Sequence, residues 1–186
     1  MFAIRHIRLL RFLFLAVLLV LYLSSCSSHK NVSSSTATTN SKTALKNKYA
    51  LLLNIEPKEI KNESLFVFID DWYAVPYKYA GLDKNGIDCS GFISVLYDKV
   101  YNKKIPRSTK ELHETCIGVS RSELKEGDLV FFKIDQEKPS HVGLYLMNNK
   151  FVHASTKKGI MISDLEEVYF KKYFYTGGRI NLKVQS

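Results

Sequence analysis

Between Asn62 and Pro76, the side chains Leu65, Phe66, Ile69, Trp72 and Tyr73 recur at i, i+1, i+4, i+7 and i+8. This spacing predicts an amphipathic helix that starts near Asn62 or Ser64 and is closed by Pro76. Phe92, Val95, Leu96 and Val100 repeat the pattern and predict a second helix over 89–100. The segment "RSTKELHE" offers Ser108 as an N-cap and Glu111, three residues on, as its capping-box partner, so a third short helix follows. Upstream, "ALKNKYALLLNI" carries helical spacing from Ala44 until Pro57 interrupts it. The period then shortens. "GDLVFF" (127–132), "HVGLYLM" (141–147), "KFVHAS" (150–155) and "GIMIS" (159–163) are short β-rich runs, with Asn148-Asn149 as a hairpin turn between two of them. A last strand is expected through "YFYTGGRINL". Helices followed by an antiparallel meander indicate an α+β fold, N-terminal helices on an antiparallel sheet, in one domain over 44–184.

The first 25 residues stand outside that pattern. Arg5, Arg8 and Arg11 precede an unbroken apolar run from Phe12 to Leu23. As a helix this run reaches roughly 18 Å, short of the ~30 Å hydrocarbon core, so it reads as an export signal and not a span. Leu23-Ser24-Ser25-Cys26 resembles the lipobox of bacterial lipoproteins, which implies cleavage before Cys26 and its lipidation. Several acyl chains on one residue give stable anchoring. The following "SSHKNVSSSTATTNSK" lacks large apolar residues after Val32, and 26–43 is read as a flexible tether.

The formal charge of +9 falls to +6 once the leader, with three Arg and no acids, is removed. The basic residues are dispersed, so an anionic surface or polymer is favoured and nucleic acid is not expected as a partner. With Cys26 lipidated, Cys89 and Cys116 remain in a disulfide-permissive compartment, where a bridge between them is formally possible. No CxxC or Cys-His cluster suggests a structural zinc site.

"GIDCSGF" sets Cys89 at the start of the 89–100 helix, where free N–H groups and the positive dipole end favour a thiolate. A nucleophilic thiol needs an imidazole base and a polar group to orient it. His6 belongs to the leader, His29 to the tether and His113 to a helix, which leaves His141 and His153. A strict two-residue turn at Asn148-Asn149 would pair Leu144 with His153 and put the two imidazoles on opposite faces. A bulge, or a turn one residue longer or shorter, would bring them together. On spacing alone, structural strand histidines and a Cys-His-His site both remain open.

The block "PYKYAG…GIDCSGF…PRST…GDLVFF…SHVGLYL…FVHAS" closely resembles the NlpC family of papain-like cell-wall cysteine peptidases, near the Spr-type murein endopeptidase lipoproteins, over roughly 62–182. The resemblance implies a papain-like α+β fold. It implies Cys89 as nucleophile, His141 as general base, His153 as the group orienting that base, and Tyr77 as a cleft residue aiding the oxyanion. It further implies Asp88 and Ser90 as substrate contacts, against a reading of Asp88 as a helix cap. Tyr79-Ala80-Gly81 departs from the family, which often carries two glycines there.

The expected activity is hydrolysis of peptidoglycan peptides, with D-alanyl–diaminopimelate cross-links ahead of γ-D-glutamyl–diaminopimelate stem bonds. The region before residue 62 is too short for the SH3-like module that often accompanies the latter. A permuted acyltransferase is disfavoured because Cys89 precedes both histidines. A non-catalytic wall-binding lipoprotein is the other alternative. No metal or cofactor is expected. The expected partners are peptidoglycan and, through the anchor, the periplasmic face of the outer membrane, for a monomeric protein. Cys116 matches no family motif and reads as a small hydrophobe.

Overall fold

The computed structural model describes residues 33–134 and 136–181. The leader expected over 1–25 and the lipidated Cys26 lie outside the described residues. The chain divides into two compact units, Met1–Thr39 and Asn40–Ser186. The second carries every element below apart from the first turns of α1.

Helix α1 (Ser33–Leu53) buries Tyr49, Ala50 and Leu53 and stops at Asn54, which takes a left-handed φ of 53°. Residues 33–43, expected as tether, are helical here. Extending a helix from a packed turn costs far less than nucleating one, and Lys42 and Lys46 both reach the Glu63 carboxylate (3.6 and 2.6 Å). A 3-10 turn over Pro57–Glu59 leads to α2 (Glu63–Trp72), where the Asn62 side chain caps the Leu65 N–H. Its core face is Leu65, Phe66, Phe68, Ile69 and Trp72. Tyr73, assigned to that face by its spacing, is the C-cap and is exposed.

A small ribbon, β1 (Leu82–Asp83) with β2 (Gly86–Ile87), precedes α3 (Cys89–Tyr101). Helix α4 (Thr109–Thr115) is capped at Ser108 as expected, with Oγ accepting from the Glu111 N–H. The reciprocal contact differs: the Glu111 carboxylate takes the Ser108 hydroxyl proton at 2.6 Å.

Six strands then form one antiparallel sheet: β3 (Cys116–Val119), β4 (Leu129–Phe132), β5 (His141–Tyr145), β6 (Lys150–Ser155), β7 (Gly159–Asp164) and β8 (Phe174–Ile180). Their order is β3-β8-β4-β5-β6-β7. β4 through β7 form a meander, and β8 returns to lie between β4 and β3. Every residue of β4 is buried. Leu129 and Phe131 join the core shared with the helices. Val130 and Phe132 join a second cluster with Phe151, Leu165 and Phe170 of the short α5 (Val168–Tyr173). Neither β3 nor α5 is marked by a clear period in the sequence. Four residues of β3, two of them exposed at a sheet edge, and six residues of α5 are too short to show one.

The β5–β6 hairpin sets the geometry of the site. Its register pairs Leu144 with Val152 and Tyr145 with Phe151, one step from the pairing that a two-residue turn would give. Leu146 and Lys150 close the ladder, so the turn holds three residues, Met147 to Asn149. Asn148 and Asn149 both adopt left-handed φ (50° and 60°), a conformation that asparagine tolerates better than other residues with a Cβ. Asn148 Nδ2 also donates to the carbonyls of Leu53 (2.9 Å) and Asn54 (3.3 Å), tying the turn to the end of α1. At the far end of the hairpin pair, Gly159 has φ +71°, and a Cβ there would stand 2.2 Å from the Val75 carbonyl. That close approach lets β7 bond the 74–75 segment on both sides of Ile160 (2.8 and 2.9 Å), just before Tyr77.

Asn148→Ala is expected to cost about 1–2 kcal/mol, from a left-handed alanine plus a lost hydrogen bond, whereas Asn149→Gly stays near neutral. Urea denaturation of the two variants checks this; equal costs would contradict the role given to the Asn148 amide.

Candidate active site

Cys89 is the first residue of α3 and is 8% exposed. The helix starts there because Asp88, in an extended conformation, caps it: Oδ1 accepts from the Gly91 N–H at 2.7 Å. The same carboxylate receives Arg107 in a fork, Nη1 to Oδ1 and Nη2 to Oδ2, both at 2.9 Å. Oδ2 also takes the Ala80 N–H at 2.9 Å. Arg107 further donates to Ser90 Oγ (3.0 Å) and to the Gly81 carbonyl (3.1 Å). A carboxylate has about four acceptor positions, and these contacts occupy them. The geometry of Asp88 and Ser90 is therefore that of a clamp holding the start of α3 against the 80–81 and 107 segments.

The thiol lies 3.7 Å from Thr109 Oγ1 on α4, and the nearby backbone N–H groups of Val142 and Ser90 pull its pKa down. Val142 follows His141, so the sulfur sits against the start of β5. Among the described residues no hydrogen bond joins the thiol to either imidazole. Tyr77 bridges to Ile87 and is half-buried beside Cys89. Burial raises its phenol above the usual range, and the neighbouring Cys89 and Asp88 add to the shift.

His141 and His153 are brought together. The three-residue turn places Gly143 opposite His153, so His141, two residues before Gly143, shares the face of His153. His141 Nε2 and His153 Nδ1 are 2.9 Å apart, with the rings edge to face at 87°. On its other side His153 Nε2 meets Ser163 Oγ at 3.1 Å. The rings of Phe132, Phe151 and Phe170 surround the pair at 5.0–5.9 Å.

Burial lowers both imidazoles, His141 to about 4 and His153 to about 3, the latter helped by the charge of His141. Burial also pushes the Cys89 thiol up, against the downward pull of the Thr109 and Val142 bonds. The helix N-terminus alone predicts a lowered thiol; in the folded chain desolvation is the larger effect, and burial disfavours the charged forms of the thiol and of both imidazoles.

Both Cys89 and Cys116 are free thiols, so the bridge between them is not formed. Cys116 opens β3, half-buried, and its thiol is pushed up to about 12. Among the described residues no group of three or more His, Cys, Asp or Glu side chains is placed to hold a metal ion. The sequence pattern does not by itself single out Arg107, Thr109 or Ser163. Arg107 stands inside the "PRST" segment that carried the resemblance, whereas Ser163 is marked by nothing but its alternation along β7.

Helices laid on an antiparallel sheet, with a helix-starting cysteine against the strand that carries a paired histidine, define the papain-like class of α+β proteins. Within it, the profile of the NlpC/P60 family matches residues 74–179, more than half of the chain, and the chain belongs to that family. It is 42% identical over 113 residues to the probable endopeptidase NlpC of Escherichia coli (strain K12), covering 60% of this chain and 73% of that protein. It is 44% identical over 110 residues to murein DD-endopeptidase MepS/murein LD-carboxypeptidase of the same organism, covering 59% of this chain and 58% of that one. A crystal structure of an NlpC/P60 family protein from Bacillus cereus ATCC 10987 superposes with a TM-score of 0.57 at 28% identity, over 64% of this chain and 40% of that one. The match to MepS thus spans little more than half of that relative's length, and the match to the Bacillus protein less than half.

The imidazole shifts make stability depend on pH. Because both folded pKa values lie below the unfolded value of about 6.5, the unfolded chain binds more protons between them. The contribution is present above about pH 6.5 and is lost as pH falls towards about 4 and then 3. The thermal midpoint of wild type is expected to drop across that window, and that of His141→Gln/His153→Gln to drop less; parallel profiles would contradict the assignment.

Proposed function

We propose that this protein is a cysteine endopeptidase of peptidoglycan peptides, acting on the D-alanyl–diaminopimelate cross-link. The observation that carries the reading is the hydrogen-bonded His141–His153 pair, with His141 on the strand whose start lies against the helix-starting Cys89, inside the family-matched segment. The name of the MepS relative, a murein DD-endopeptidase, supports the choice of bond.

In this reading Cys89 is the nucleophile and His141 the base. His141 Nε2 is committed to His153, so Nδ1 is the nitrogen that takes the thiol proton. The sulfur attacks the scissile carbonyl carbon, and the resulting oxyanion is met by the Cys89 N–H, one of the first-turn donors without an intrahelical acceptor, and by the Tyr77 hydroxyl. One such donor is typically worth about 2.7–4 kcal/mol. The intermediate collapses to a thioester as His141 hands its proton to the departing amine. Water, deprotonated by His141, then releases the acid and restores the thiol. His153 orients His141 and accepts its Nε2–H bond throughout. Asp88, Ser90 and Arg107 hold the start of α3 at the scissile bond. Lipidation at Cys26 and attachment to the periplasmic face of the outer membrane belong to the same reading, with the catalytic domain beginning near Ala44.

The full-length protein, in detergent and with reductant, is incubated with intact peptidoglycan and with defined muropeptides, and products are read by mass spectrometry. Wild type is expected to convert cross-linked dimers to monomers, with Cys89→Ala and His141→Ala slower by at least roughly 10³-fold. Cleavage confined to uncross-linked stems would move the assignment to the γ-D-glutamyl bond, and removal of a terminal residue alone would move it to an LD-carboxypeptidase. Activity equal to that of Cys89→Ala would leave a wall-binding protein.

A further inference from the structure

Behind the histidine pair stands a buried hydroxyl to which nothing above assigns a role. Ser163 lies on β7, 5% exposed, and shares the face of His153 because Met161, two residues before it, is the cross-strand partner of His153. Its Oγ is 3.1 Å from His153 Nε2, while His153 Nδ1 is 2.9 Å from His141 Nε2. We propose that Ser163 is a positioning residue whose hydroxyl accepts the Nε2 proton of His153, so that His153 turns a bare Nδ1 to His141 and leaves the Nδ1 lone pair of His141 free for the Cys89 thiol. The inference rests on the hydrolase reading for its catalytic consequence, though not for its structural one.

Two proton arrangements fit a neutral chain of two imidazoles and a hydroxyl. In the first, His141 Nε2–H donates to His153 Nδ1 and His153 Nε2–H donates to Ser163. In the second, the hydroxyl donates to His153 Nε2, His153 Nδ1–H donates to His141 Nε2, and the His141 proton sits on Nδ1. Only the first leaves His141 able to accept a proton from the thiol. It also survives the transfer: the S–H bond breaks, an N–H bond forms at His141 Nδ1, and the imidazolium keeps its Nε2–H bond to His153. In the second arrangement a charged His141 would set its Nε2–H against the Nδ1–H of His153. No proton passes to Ser163 in either case.

A hydroxyl can accept or donate, so Ser163 is compatible with both arrangements, but it is what makes the first one possible, because the other neighbours of His153 are the apolar rings of Phe151 and Phe170. Among the described residues, the polar partners of the two imidazoles are each other and Ser163. Without an acceptor at position 163, a buried Nε2–H would stand unpaired, which costs more than a bare ring nitrogen. The His153 proton would move to Nδ1, and the second arrangement would win.

The test measures three quantities on the full-length protein and on Ser163→Ala, Ser163→Thr and Ser163→Cys. They are kcat and KM on cross-linked muropeptides, the rate of Cys89 alkylation by iodoacetamide against pH (followed at that residue by peptide mass spectrometry), and imidazole tautomers by ¹⁵N NMR. Ser163→Ala is expected to lower kcat by roughly 10- to 100-fold with KM little changed. It should also slow alkylation near neutral pH and move the His153 proton to Nδ1. Ser163→Thr, which keeps the hydroxyl, restores most of the rate. Ser163→Cys fills the space with a weak acceptor and behaves like Ser163→Ala, so it carries the test if the alanine variant does not fold. An unchanged alkylation profile and tautomer in the folded Ala or Cys variants would overturn the inference, as would a folded Thr variant as slow as Ala. Alkylation and tautomer shifts in a protein whose wild type cleaves no muropeptide would uphold the role of Ser163 and sink the hydrolase reading instead.

Discussion

One turn decides whether this chain has a paired-histidine site. Side chains alternate along a strand, so the length of the β5–β6 turn determines whether His141 and His153 share a face. A two-residue turn separates them; the three-residue turn joins them. The longer turn asks two consecutive residues to take left-handed φ, and the chain places asparagine at both. The Asn148 amide then fastens that turn to the carbonyls that end α1. The helix terminus that would otherwise expose unpaired carbonyls gains a donor, and the register gains a tether. β7 inherits the register in turn, which is how Ser163 comes to stand behind His153.

The other half of the site is held by charge. Arg107 links Gly81 to Asp88 and Ser90 at the start of α3, and Asp88 divides its acceptors between that guanidinium and the N–H groups of Ala80 and Gly91. A buried carboxylate with a forked arginine and two amide donors is costly to disturb, because removing one partner leaves the other uncompensated. The clamp also explains the glycine two residues after the cysteine. A Cβ at Gly91 would meet the Gly81 carbonyl at 2.8 Å and Arg107 at 3.0 Å, so only glycine lets α3 start this close to both. The two halves meet where the Val142 amide reaches the Cys89 sulfur.

Most of the architecture was legible in the sequence because the elements that form it are periodic. The α2 and α3 stripes, the Ser108 cap and the runs that became β4 to β8 are long enough, or as in β4 buried enough, for their pattern to show. What escaped detection was short or depended on tertiary context: β3 at an exposed edge, α5 of six residues, and the helical 33–43, whose Ser/Thr composition argues against order. At the site, the types and order of Cys89, His141 and His153 were visible, but their meeting was not, since a one-residue difference in turn length decides it and composition does not encode that length. Asp88 shows the same limit. Its type and position fit a substrate contact and a helix cap equally well, and only its crowded set of donors favours the second.

The electrostatics of the site reverse a common intuition about helix-borne cysteines. A helix N-terminus favours an anion by roughly 0.3–1 kcal/mol, and up to about 2 in sheltered geometries, which is at most a unit or two of pKa. Burial of a thiol as enclosed as Cys89 works in the other direction and can reach several units, and here it prevails. The imidazoles are pushed down by the same cause. Where burial disfavours both charged forms, an ion pair forms only when something compensates two charges at once. The Val142 and Ser90 amides and the Thr109 hydroxyl are already aimed at the sulfur, and His153 at the far nitrogen of His141, so the dipoles that would stabilise the pair are in place before the charge appears. Preorganised dipoles in a low-dielectric pocket are worth more than the same groups in water and need no reorganisation when charge develops. Burial thus disfavours an idle thiolate, while the fixed dipoles lower the cost of generating one.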